Sequence, residues 1–130
     1  MTYRFIIPGL LPGLNEYTEA NRRNKYAAAK MKHQAETAVI MAAKKQLRGL
    51  HITRPVTLRY VWVEKNRKRD HDNVAFAQKF VQDALVKAKI LKNDGWNYVQ
   101  GFTHDFSVDK ERPRVEVTIE VEEGQAANHQ

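Results

Sequence analysis

The sequence has no cysteine. Disulfides, thiolate metal sites and cysteine nucleophiles are therefore excluded, and a reducing compartment is a natural setting. Long apolar runs are also missing. No stretch approaches the roughly 18 apolar residues needed to span a bilayer. Residues 1–14 are apolar only in patches, are broken by Pro8, Gly9, Pro12 and Gly13, and carry Arg4 as their one early charge. That pattern makes a poor secretory signal. Together these absences read as a soluble, cytoplasmic chain with no membrane partner. No segment is repeated or of low complexity.

Negative charge is scarce over the first part of the chain. Residues 1–79 hold sixteen Lys and Arg against six Asp and Glu, a net of +10, whereas residues 80–130 hold six against nine, a net of −3. A uniformly basic, merely soluble surface does not need this asymmetry. A basic half suits a polyanion, because each neutralised phosphate releases a condensed counterion. The alternative at this stage is a solvated basic face without a ligand.

A length of 130 residues suits one domain. We place it at 1–123, with a disordered tail at 124–130. Residues 3–7 read as a short first strand that runs into the Pro/Gly breaks of a loop at 8–15, and residues 21–25 are polar and basic. Residues 25–48 look helical, with Met31, Ala35, Val39 and Ala42 at three- to four-residue spacing and Gly49 placed to end the helix. Residues 56–63 are β-branched and aromatic on both alternating faces, as in a central strand. A second long helix is expected from about Asn73 to Leu91, capped by Asp72 or Asn73. Residues 96–107 and 114–121 read as strands joined by a turn, hence as a hairpin. The order β-α-β-α-β-β implies an α+β fold with a small mixed sheet and two main helices.

The densest chemistry lies in Arg69-Asp70-His71-Asp72-Asn73. In an extended segment residues two apart point the same way, so Asp70 and Asp72 converge. Paired carboxylates repel unless a cation lies between them, and hard oxygen ligands select Mg²⁺, with Mn²⁺ as a substitute. Asn73 could add a carbonyl oxygen or simply cap a helix. The competing reading of the whole run is a surface turn that caps a helix with aspartate. Its neighbours favour chemistry: Lys65, Asn66, Arg67, Lys68 and Arg69 follow Glu64 directly. Phosphodiester hydrolysis requires a dianionic pocket flanked by cations that hold phosphates. Lys79 lies seven positions after Asp72, two helical turns on, and could reach back to stabilise developing charge. It could equally pair with Asp83 at i+4. Asp94 is the next free carboxylate, in a loop with Gly95. His33, His51, His71 and His104 show no metal-ligand spacing. Trp62, Trp96 and Tyr98 read as core or interface residues.

These residues resemble the RusA family of Holliday junction resolvases, in particular the forms of Gram-positive bacteria and their phages. The likeness runs through Ile7-Pro8-Gly9, Pro12-Gly13-Leu14-Asn15, Asn24 to Lys30, Arg69 to Asn73, Lys79 to Leu85 and Asn93-Asp94. It implies that Asp70, Asp72 and Asp94 bind the metal, that Lys79 is needed for cleavage, and that Arg69 contacts DNA beside Lys65, Arg67 and Lys68. It also implies a homodimer that makes paired nicks across a four-way DNA junction with Mg²⁺ or Mn²⁺. Two departures stand out. The Asn73-to-Lys79 spacing is about one turn longer than in the best-known members, and the family's paired aspartates are here Asn93-Asp94.

A straight helix from Asn73 to Leu91 is roughly 27 Å long. It would hold Asp72 and Asp94 apart, whereas ligands of one ion lie within about 5 Å of one another. Either the helix bends sharply or Asp94 comes from a partner chain, and a two-fold dimer supplies the second arrangement. The competing functions are a non-catalytic basic nucleic-acid-binding protein and a nucleotide phosphohydrolase. The latter lacks a glycine-rich phosphate loop.

Overall fold

The computed structural model describes residues 1–123; the tail at 124–130 lies outside them. The elements are β1 (Thr2–Pro8), α1 (Leu14–Arg23), α2 (Lys25–Gln46), β2 (Val56–Glu64), α3 (His71–Ala75), α4 (Gln78–Lys87), β3 (Val99–Val108) and β4 (Arg114–Val121). The four strands form one mixed sheet in the order β1-β4-β2-β3, with β2 and β3 parallel and β4 antiparallel to both of its neighbours. The α+β class and the interior position of β2 agree with the sequence reading. No helix among the described residues is long and apolar enough to cross a membrane.

Alternation decides which side of the sheet is covered. Register sets Phe5, Val117, Tyr60 and His104 in one row across the strands, and Ile7, Val115, Trp62 and Phe106 in the next. In both rows the first three residues are fully buried. Against this face pack Ala35, Val39 and Ala43 of α2 and Phe80, Val81, Ala84 and Leu85 of α4, in a single core. Burying each large apolar side chain contributes about 1.5–3 kcal/mol. Glu36 is buried at the α2–α4 contact and accepts a hydrogen bond from Lys87 Nζ at 2.5 Å. That pairing keeps a buried carboxylate from being an uncompensated charge.

Three expectations need correction. First, β3 and β4 are not a hairpin, because β2 lies between them. Alternation identifies a strand but not its neighbour. β4 buries a wholly apolar face of Val115, Val117 and Ile119 and takes an interior place. The chain crosses the end of β2 through 109–113, held there by the Asp109 N–H on the Glu64 carbonyl at 2.8 Å. The Asp109 carboxylate shapes this crossing. It accepts from the backbone of Arg112 and Glu111 and from the Arg114 guanidinium, and the Arg112 N–H is the main cause holding its pKa below the usual aspartate value.

Second, residues 14–23 are helical. α1 buries only Ala20 fully, so it has no apolar stripe to announce it. Third, the single helix expected from Asn73 to Leu91 is two. It starts at His71, tightens into i→i+3 bonds at Phe76 and Ala77, and resumes as α4. The tight turn seats Phe76 and Phe80 against Tyr17 of α1, with ring centroids 5.6 and 5.7 Å away. α4 ends at Lys87 because Lys89 adopts a left-handed conformation, φ 62°.

Candidate active site

β2 ends at Glu64 and delivers the chain into the basic loop 65–69. Asn66 Oδ1 accepts the Lys68 N–H at 2.9 Å, a side-chain turn that leaves Lys65, Arg67 and Lys68 exposed. Arg69 points the other way. Its Nε and Nη2 donate to the two oxygens of Glu64, both at 2.9 Å, and its Nη1 donates to the Leu11 carbonyl at 3.1 Å and to Glu16 at 3.2 Å. The hydrogen bond to Glu64 is the main cause raising its pKa above the ordinary guanidinium value. The guanidinium is thus committed to tying β2, the β1–α1 loop and α1 together, directly before Asp70.

Asp70 is the N-cap residue of α3 in extended conformation and makes no side-chain capping bond; Asp72 lies in the first turn. The expectation that both sit on one extended stretch is corrected, since the helix begins between them at His71. Both carboxylates are exposed, and neither belongs to an ion pair among the described residues. Asp70 opens into a groove with Glu64, Arg67, His71, Phe106 and Val108, at the carboxyl ends of β2 and β3. His71 stacks on Phe106 with ring centroids 3.9 Å apart and 6° between planes. The aspartates are thereby held beside the end of β3. On its other flank Asp70 shares a second groove with Arg23, Lys68 and Asn73.

Asn73 is buried and unavailable as a ligand. Its Oδ1 accepts the backbone N–H of Asn15 at 2.8 Å. Lys79 is exposed and pairs with Asp83 at 3.5 Å, the i+4 partner weighed from the sequence, while Asp83 also faces Lys32 at 3.8 Å. The tightened turn at residues 76–77 lies between Asp72 and Lys79, so the two are not on one regular helix.

Asp94 is remote. Leu91 bridges to Ile52, and the Tyr98 carbonyl accepts the Val56 N–H, so residues 92–98 lie at the start of β2. Asp70 lies beyond its end. Eight strand steps separate Val56 from Glu64, about 26 Å. Asn93 Oδ1 accepts the Gly95 N–H at 2.7 Å and shapes the turn that leaves Asp94 exposed. Among the described residues no three His, Asp or Glu gather to hold a metal. One chain therefore places Asp70 and Asp72 at the start of α3, beyond the end of β2, and leaves Asp94 at the opposite end of the sheet.

Sequence reasoning missed the Arg69 clamp, the His71–Phe106 stack and the Asn73 contact. Each joins residues far apart in the chain, and no local signal marks them. Glu16, three residues after Gly13 and accepting its N–H at 2.6 Å, is the one helix-start signal that could have been read.

The site has two free hard-oxygen donors, a cationic loop and an open groove. No curated protein matches the sequence. A family model, Endodeoxyribonuclease RusA, matches residues 12–120, a span that includes every residue of the candidate site. The chain belongs to the endodeoxyribonuclease RusA family.

Proposed function

We propose that the protein is a structure-specific endonuclease that resolves Holliday junctions as a homodimer, with Mg²⁺ (or Mn²⁺) held by Asp70 and Asp72 of one chain and Asp94 of the other. The observation that carries this reading is the pair of unpartnered carboxylates, Asp70 and Asp72, beside the exposed cations of loop 65–69. The donor set fits a hard divalent cation in part: oxygen ligands only, two from one chain, with the third at the far end of the sheet. A bound cation supplies water activation and neutralises charge at the scissile phosphate.

The protein's own residues have separable tasks. Lys65, Arg67 and Lys68 hold phosphates and set the register of the DNA. Arg69 orients the loop through Glu64 and Glu16 and does not need to reach the DNA. Lys79, on an exposed helix face, exchanges Asp83 for a phosphate oxygen when DNA is bound. A two-fold dimer presents two equivalent sites to a junction whose scissile strands are themselves symmetric.

The test compares a synthetic four-way junction with a matching linear duplex in Mg²⁺, for the wild type and Asp72→Asn. The junction should be nicked in paired positions and the duplex left intact, while Asp72→Asn should bind the junction without nicking it. Equal nicking of both DNAs removes the junction specificity. Salt-sensitive binding without nicking by the wild type would establish a non-catalytic DNA-binding protein instead.

A further inference from the structure

Five charged side chains meet on the seam between α2 and α4. Lys79, Asp83 and Lys87 follow one another at four-residue steps along α4, and Lys32 and Glu36 do the same on α2. The buried Glu36 accepts its hydrogen bond from Lys87, and that bond is the main cause raising the Lys87 pKa. These two charges compensate each other. The other three do not balance. Lys32 Nζ lies 3.8 Å, and Lys79 Nζ 3.5 Å, from the same oxygen, Oδ2 of Asp83. Two ammoniums from different helices thus share one carboxylate. Lys32 also stands 3.9 Å from Glu36 Oε2, a buried oxygen with no hydrogen-bond partner among the described residues. All three approaches are longer than the roughly 2.7–2.9 Å of a charge-assisted hydrogen bond. Lys32 and Lys79 are gathered here but loosely held.

The chemistry of the surplus identifies a ligand. Three ammoniums and two carboxylates leave one positive charge, which a singly charged oxyanion neutralises. Both free donors flank one oxygen position, so two oxygens of a single phosphate can bridge them. The lysine side chains are 39% and 64% exposed, and a phosphate reaches both without being buried. Lys79 is the second residue of α4 and stands nearest α3, which carries Asp72; Lys87 and Glu36 close the opposite end of the seam.

We infer that Lys32 and Lys79 form a clip for one backbone phosphate of bound DNA, with Asp83 as the internal anion that the phosphate displaces. The inference rests on the DNA-cleaving role proposed above and adds to it a contact from α2. Without DNA, Asp83 holds the two ammoniums together against their mutual repulsion. With DNA, the phosphate takes over that task, and loss of the Asp83 contacts costs part of the affinity.

The test measures binding of a synthetic four-way junction in EDTA, where nicking does not interfere, over a range of salt concentrations. Lys32→Gln and Lys79→Gln should each weaken binding about three- to tenfold, with unchanged circular dichroism. Because one phosphate is shared, either single variant should nearly keep the wild-type slope of log affinity against log salt. The double variant should lose about 0.9 of slope, the share of one phosphate. Asp83→Asn should tighten binding in the wild type and have no such effect in the double variant. Lys32→Gln binding as tightly as wild type would reduce the cluster to an ion-pair network and overturn the clip. A full phosphate's slope lost in each single variant would mean two separate contacts and overturn it too. An Asp83→Asn gain of equal size in both backgrounds would show only long-range repulsion of DNA by Asp83, contradicting the displacement. A wild type that does not bind the junction removes the clip outright. A wild type that shows the predicted binding pattern yet fails to nick in Mg²⁺ would end the nuclease reading and leave the phosphate clip standing.

Discussion

The side chain of Asn73 caps a distant helix, α1: its Oδ1 accepts the N–H of Asn15, 58 residues earlier, at 2.8 Å. The N-cap residue of that helix is Gly13, which has no side chain to do so. A Cβ on Gly13 would meet Asn73 Oδ1 at 2.6 Å and the Asn73 carbonyl at 2.7 Å. Glycine at the cap and asparagine after Asp72 are therefore one device, locking α1 to the segment that carries the aspartates.

Asn73→Ala should lower stability by about 1–2 kcal/mol, the usual cost of a lost cap. Asn73→Asp, which keeps the acceptor, should cost less. Gly13→Ala should cost at least as much as Asn73→Ala, because backbone as well as side chain must move. Urea unfolding of the three variants checks the order. A Gly13→Ala protein as stable as wild type would refute the close approach.

Arg69→Lys should behave as a disruptive change. The fork that meets both Glu64 oxygens and the Leu11 carbonyl has no equivalent in a point-charge ammonium. We expect a loss of about 1–3 kcal/mol and, in the folded fraction, weaker cleavage with junction binding little changed. Gel-shift titration against nicking rate separates the two. A fall in affinity as large as that of Arg67→Ala would return Arg69 to the DNA contacts.

Tyr60 is buried with its hydroxyl lacking a partner among the described residues. Burial pushes the phenol pKa well above its ordinary value, so the group stays neutral. Tyr60→Phe should be neutral or slightly stabilising, because it removes an unsatisfied polar atom and keeps the ring stack on Trp62 at 5.3 Å. A clear drop in melting temperature would reveal a partner for the hydroxyl.

His104 accepts the Trp62 Nε1–H on its Nδ1 at 2.9 Å, which requires the neutral ring. Burial holds its pKa below the usual 6.5, opposed by the nearby Asp105 carboxylate. With the folded pKa depressed, the unfolded chain takes up the proton first as pH falls. The contribution of His104 is therefore complete above about pH 7 and is lost as pH drops through 6.5 toward the folded value. Stability measured from pH 7.5 to 5 should fall more steeply for the wild type than for His104→Phe. Parallel curves would remove this role.

The fold class, the core strand β2, the long helix α2 and the outer strands were legible because hydrophobic period and turn residues are local. So were Asp70 and Asp72 as a pair worth weighing, given the five polar and basic residues before them. What was not legible is tertiary. α1 has too little buried surface to show a stripe. The break at Phe76 and Ala77 serves a contact with Tyr17, and the place of β4 between β1 and β2 depends on which faces are buried. The separation of Asp72 from Asp94 was anticipated for a different reason. A straight helix was expected to impose it, whereas the length of β2 does.

Mixing two inactive variants tests the shared site most directly. Asp72→Asn and Asp94→Asn homodimers should each fail to nick a four-way junction. After subunit exchange, the mixed dimer carries one site with all its carboxylates and one with neither Asp72 nor Asp94. Activity should return to about a quarter of the wild-type sites, as single nicks without the paired cut. A mixture as inactive as its two components would contradict a site shared between chains.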